Sequence, residues 1–131
     1  MTLEILLVDD DPVGQYLHNN ILTKCDFPKQ LLFENGALAL DHILEKKDED
    51  ILFLIFLDIN MPVMNGWELL DALHKMSIAA TYKVVILTSS IDSSDRGKAD
   101  DYPQVFKFVE KPLTVTCIDA IKKNADLVSY F

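Results

Sequence analysis

Four apolar runs in this chain finish in side chains that can act on a phosphate-like anion or a hard cation. Leu3–Val8 leads into Asp9-Asp10-Asp11, and Ile51–Leu57 leads into Asp58. Val84–Leu87 leads into Thr88-Ser89, and Val105–Glu110 leads into Lys111. Taken singly, each has an ordinary explanation. One aspartate after a strand caps the next helix, Asp58 opens a turn-rich stretch, and a threonine at a strand end or a lysine before a proline is common. Three consecutive aspartates are different, because like charges that close repel unless a cation sits among them. Hard carboxylate oxygens suit Mg²⁺, which is held by one or two carboxylates plus waters and phosphate oxygens. A carboxylate can also be the nucleophile and become an aspartyl phosphate. The metal and a lysine then neutralise the transferring group.

The elements that must position these side chains alternate along the chain. Leu3–Val8, Ile51–Leu57 and Val84–Leu87 read as strands buried on both faces. Gln30–Glu34 and Val105–Glu110 carry interleaved or flanking charge and read as edge strands. Asp11-Pro12 predicts an N-cap with proline at the first helical position, opening a helix with Val13, Leu17 and Ile21 on its apolar face. Asn35-Gly36 opens a second helix carrying Leu40, Ile43 and Leu44, which ends in the charged run Glu45–Asp50. Asn65 with Glu68 forms a capping-box pattern before Leu69, Leu70 and Leu73. Ser93-Ser94-Asp95 caps a short fourth helix. Thr114 caps a fifth, with Ile118, Ile121, Ala125 and Val128 spaced to run almost to Phe131. Strands alternating with helices predict a parallel α/β sheet covered on both faces. Right-handed crossovers then gather the C-terminal ends of the strands, and so all four reactive sites, at one edge.

Composition narrows the function further. The 131 residues carry 21 acidic and 12 basic side chains, a formal charge of −9, and Arg96 is the sole arginine. Phosphate backbones are bound by clustered Lys and Arg, so nucleic acid and anionic membrane surfaces are poor partners for this chain. Cys25 and Cys117 lie far apart with no metal-ligand spacing, the usage of packed thiols in a reducing cytosol. The N-terminus has no signal-peptide pattern, and the longest apolar run, Ile51–Leu57, has seven residues against the ~20 needed to span a bilayer. A cytoplasmic location and a single domain over residues 1–131, without an effector domain, are the expectations.

The sequence resembles a response-regulator receiver domain of two-component signalling, over about Leu3 to Val128. The motifs that carry the resemblance are Ile5-Leu6-Leu7-Val8-Asp9-Asp10-Asp11, Phe56-Leu57-Asp58-Ile59-Asn60-Met61-Pro62-Val63-Met64-Asn65-Gly66, Ile86-Leu87-Thr88-Ser89 and Val109-Glu110-Lys111-Pro112. The resemblance implies a doubly wound, flavodoxin-like five-stranded parallel sheet in the order 2-1-3-4-5. It implies that Asp58 accepts a phosphoryl group from a sensor histidine kinase or a histidine phosphotransfer protein. Asp9 and Asp10 would hold Mg²⁺ together with Asp58 and the backbone carbonyl of Asn60. Thr88 and Lys111 would bind phosphoryl oxygens, and Phe108 would be the switch aromatic. A cis bond at Lys111-Pro112 is implied as well. Output would pass to a downstream protein or a homodimer through the face made by the fourth helix, fifth strand and fifth helix. The chemistry would be self-catalysed acceptance and autodephosphorylation only, not turnover of a separate substrate.

Two features depart from the family pattern. The switch position is Phe108 and not tyrosine, so it has no hydroxyl to report a rotamer change. Asp100-Asp101-Tyr102-Pro103 replaces the small Gly/Ala turn usual before the fifth strand. Asp11 reads as a cap and not a ligand. His18, His42 and His74 fall on three helices and read as surface residues, none of them a phosphodonor.

Two other functions compete. In a phosphatase of the haloacid-dehalogenase type, Asp9 would be the nucleophile of a DxDxV loop. That family needs a further acidic pair after the lysine, and only the isolated Asp119 and Asp126 follow. A degenerate receiver acting as an unmodified binding module would lack one of the reactive positions, and all are filled.

Overall fold

The computed structural model describes residues 1–76, 81–89 and 92–131. Five strands, β1 (Thr2–Val8), β2 (Gln30–Phe33), β3 (Ile51–Asp58), β4 (Thr81–Thr88) and β5 (Val105–Glu110), alternate with five helices. These are α1 (Pro12–Lys24), α2 (Gly36–Glu45), α3 (Gly66–Lys75), α4 (Ser93–Ala99) and α5 (Val115–Lys122). All pairings are parallel, in the order β2-β1-β3-β4-β5. The two strands with charge-flanked sequences, β2 and β5, are the edges. All eight residues of the central β3 are buried.

Alternation along the strands splits the core in two. Leu6, Val8, Phe53, Ile55 and Leu57 pack with Ile43 of α2 and with Trp67, Leu70 and Leu73 of α3. On the other face, Ile5, Leu7, Leu54 and Phe56 pack with Leu22 of α1 and with Ile118 and Ile121 of α5. Period-two strands sandwiched between helices require this arrangement. Cys25 and Cys117 are free, half-buried thiols against the second cluster. Among the described residues, no helix is long and apolar enough to cross a membrane.

Five local expectations are corrected. α1 does not bury Val13 and Leu17, which are 65% and 53% exposed, and only Ile21 of that stripe is half-buried against the core; the face turned inward is Gly14, His18 and Leu22. The two sets are offset by one residue, about 100° of helix rotation, and Gly14 permits the close approach that selects the second. His18 is therefore buried, not a surface residue, and His42 is half-buried against Phe33 and Phe53, paired with Glu4. His74 is exposed as expected.

The cap of α4 is Asp92, whose Oδ1 accepts from the Ser94 amide at 2.7 Å. The side chain of Ser93 lies outside the described residues. α5 stops at Lys122, leaving Ala125 and Val128 exposed. Asn124 turns its side chain onto the Asp126 amide at 2.9 Å, a local bond that competes with helix continuation. Leu127, not Val128, fills the core.

Candidate functional site

Each reactive side chain arrives at the predicted edge by local rules. Asp11 caps α1, its Oδ1 accepting from the Val13 amide at 3.1 Å, so it is committed to the helix as expected. Asp9, 1% exposed, is left facing inward, and its Oδ1 accepts from the Asp11 amide at 2.9 Å. Asp58 ends β3, 6% exposed, and its Oδ1 accepts from the Asn60 amide at 3.0 Å. Gly66 makes room for this turn, since a Cβ there would lie 2.9 Å from the Asp58 carbonyl oxygen. Thr88, fully buried at the end of β4, accepts the Lys111 amide on its carbonyl at 2.7 Å. The Lys111–Pro112 bond is cis.

The Lys111 ammonium bridges the two buried carboxylates, 2.7 Å from Asp9 Oδ2 and 3.3 Å from Asp58 Oδ2. Burial raises the Asp58 carboxyl above its ordinary range, and the Asp9 charge adds to it. The Asn60 amide and Lys111 pull the other way without overcoming it. Burial by itself lowers Lys111, but the hydrogen bond to Asp9 and the charges of Asp58 and Asp9 outweigh it, so the ammonium is held above its usual range. Lys111 is thus a fixed cation.

One carboxylate oxygen each from Asp9, Asp10 and Asp58 lie within 4.8 Å of one another, with Asp10 exposed at the mouth. Three carboxylates against one ammonium leave the pocket anionic, and every donor is a hard oxygen. That set fits Mg²⁺ and not a soft metal. The open side at Asp10 leaves room for water and phosphate oxygens.

Phe108 is half-buried against the α2/α3-side core, with the Arg96 guanidinium of α4 5.4 Å above its ring. It lines a groove of about 470 Å³ between α4 and β5, together with Tyr102 and Lys107. Asp119 is exposed on α5, and Asp126 pairs with Lys83 at 2.7 Å. Among the described residues, neither joins the Asp9, Asp10 and Asp58 cluster, as a haloacid-dehalogenase-type site would need.

Two residues of the site carry no signal in the sequence. Gly14 backs Asp9; a Cβ on it would stand 3.1 Å from Asp9 Oδ2. His18, one turn further along α1, accepts the Leu113 amide on Nε2 at 3.3 Å, two residues beyond Lys111. A glycine and a histidine inside an amphipathic helix give no pattern to read, because Gly14 meets the Asp9 carboxylate only once α1 has packed and the partner of His18 lies 95 residues away.

Comparison with known proteins agrees with this fold. The sequence profile of the response regulator receiver domain matches residues 5–122. A transcriptional activator protein of Burkholderia pseudomallei, IrlR, is 36% identical over 115 residues, which cover 82% of this chain and 46% of the relative. The chain thus spans about half the length of that relative. A two-component response regulator of Arabidopsis thaliana is 32% identical over 112 residues, covering 86% of this chain and 75% of the relative. A two-component response regulator from Cytophaga hutchinsonii has a solved structure that superposes with a TM-score of 0.79 at 26% identity, covering 98% of both chains.

Proposed function

This chain belongs to the response regulator receiver domain family, and from that premise we propose that Asp58 is its phosphoacceptor. The observation that carries the reading is the Lys111 ammonium shared between Asp9 and Asp58 inside a three-carboxylate pocket. An Asp58 oxygen attacks the phosphorus of a phosphohistidine on a sensor kinase or a histidine phosphotransfer protein. The P–N bond breaks, its electron pair stays on the imidazole nitrogen, and solvent supplies the proton. Asp9, Asp10, Asp58 and the Asn60 carbonyl are the residues that hold Mg²⁺, which supplies charge neutralisation at the phosphoryl oxygens. Lys111 pairs with a further phosphoryl oxygen, exchanging Asp58 Oδ2 for it, and the Thr88 hydroxyl binds another. Later hydrolysis at the same site returns the free aspartate. No separate substrate is turned over.

The exposed apolar side chains Val13 and Leu17 give the phosphodonor protein a place to dock, since α1 begins beside the acidic residues. Output runs from Thr88 to Phe108 and the α4–β5–α5 face, where the Arg96–Phe108 contact and the adjacent groove can rearrange for a protein partner.

Intact-mass measurement after incubation with phosphoramidate and Mg²⁺ tests the reading. One base-labile phosphoryl adduct is expected, prevented by EDTA and absent from Asp58→Asn. Full labelling of Asp58→Asn at another residue would overturn it.

A further inference from the structure

His18 is 3% exposed, and Nδ1 of its ring has no hydrogen-bond partner among the described residues. Nε2 accepts the Leu113 N–H, so the neutral ring must carry its proton on Nδ1. A buried N–H without an acceptor opposes folding. A leucine there would avoid that penalty. The polar function that remains at this position is the bond to Leu113.

That bond joins two parts of the site. Leu113 is 4% exposed and lies outside any regular element, between the Lys111–Pro112 pair and the Thr114 cap of α5. Its amide has no strand or helix to enter, and His18 supplies the acceptor. On the same helix face, four residues earlier, Gly14 backs the Asp9 oxygen that binds the Lys111 ammonium. α1 therefore braces the Asp9–Lys111 pair from the carboxylate side through Gly14 and from the lysine side through His18.

We propose that His18 is a positioning residue for phosphoryl acceptance: its Nε2 anchors the Leu113 amide and so fixes the turn that carries the Lys111 ammonium to Asp9 and Asp58. The proposal rests on the phosphoacceptor reading above. It needs the ring neutral. Burial first, and then the Lys111 charge, depress the imidazolium form, while the charges of Asp9 and Asp11 oppose them without prevailing.

The test has a part that needs no substitution. Nitrogen-15 spectra of the unmodified protein should show Nε2 unprotonated and Nδ1 protonated; the opposite tautomer cannot accept from Leu113 and overturns the proposal. His18→Leu keeps an apolar filler without an acceptor, whereas His18→Gln places Oε1 near the position of Nε2. The leucine variant should shift the Leu113 amide and Lys111 ammonium resonances. It should also slow labelling by phosphoramidate at saturating Mg²⁺ by about tenfold or more, as expected when a reacting group is misplaced. The glutamine variant should restore both resonances and rate to within about threefold of the original. A leucine variant that labels as fast as the original overturns the proposal. So does a glutamine variant that restores the Leu113 amide but stays slow. If the unmodified protein accepts no phosphoryl group, the phosphoacceptor reading fails. The tautomer and the Lys111 resonance in the leucine variant then still decide whether His18 positions Lys111.

Discussion

Tyr102 stacks on Trp67 with ring centroids 5.6 Å apart and 23° between the planes, and its hydroxyl donates to Asp71 Oδ1 at 2.6 Å. The segment that departs from the usual small turn thus ties the end of α4 to α3. The Lys98 ammonium, 5.1 Å from the Trp67 ring, adds a second strand to the seam. The hydrogen bond to Asp71, helped by partial burial, pushes the Tyr102 phenol up to about 12.

Trp67 is the only tryptophan, so its emission reports this seam directly. If Phe108 and α4 shift when the acceptor is loaded, Tyr102 moves on Trp67. Addition of Mg²⁺ and beryllofluoride, a stable stand-in for the phosphoryl group, should change Trp67 emission. Tyr102→Ala should abolish most of that change and cost about 1 kcal/mol in urea denaturation, the worth of an aromatic pair. Unchanged emission in protein shown by mass or NMR to hold beryllofluoride would count against coupling through this seam.

Val63 and Met64 have φ of 52° and 62°, and Val63 is 68% exposed. A β-branched residue in the left-handed region is strained, whereas asparagine visits it readily. Met64 is held there because its carbonyl accepts the Gly36 amide at 3.3 Å, and a Cβ on Gly36 would come within 2.6 Å of that oxygen. Val63→Asn should stabilise the fold by about 1 kcal/mol. The check is a higher urea midpoint at unchanged m-value.

Leu17 is exposed on α1, so Leu17→Glu should alter stability by less than about 0.5 kcal/mol. If α1 receives the phosphodonor protein, the substitution removes buried apolar area worth roughly 1.5–3 kcal/mol from that encounter. Transfer from the cognate phosphoprotein should fall by about tenfold or more. Labelling by phosphoramidate should be unaffected. Equal loss with both donors would locate the effect in the pocket and not on α1.

His18 also sets an acid limb in stability. Its folded pKa lies below the ordinary 6.5, so as pH falls from about 6.5 the unfolded chain takes up a proton before the folded one does. Stability contributed by the neutral ring therefore declines from about pH 6.5 downward, until the folded pKa is passed. In urea melts taken from pH 8 to pH 5, His18→Leu should decline less steeply than the original below pH 6.5. Parallel curves would remove His18 from the acid response.

The sequence by itself determined the alternation of strands and helices, the edge at which Asp9, Asp10, Asp58, Thr88 and Lys111 meet, and the caps at Asp11, Asn35, Asn65 and Thr114. Those features are written in short-range patterns: apolar runs with defined ends, and a polar side chain bonding an amide two or three residues on. Only the tertiary structure decided which stripe of α1 is buried. Val13/Leu17/Ile21 and Gly14/His18/Leu22 have the same spacing, and the choice depends on how closely α1 can approach Asp9 and Leu113. It also decided that Leu127 and not Val128 fills the core, and what Tyr102 does, since both find their partners in other elements. Local bonds are encoded by neighbours along the chain, whereas packing is encoded by neighbours that exist only once the chain has closed around its core.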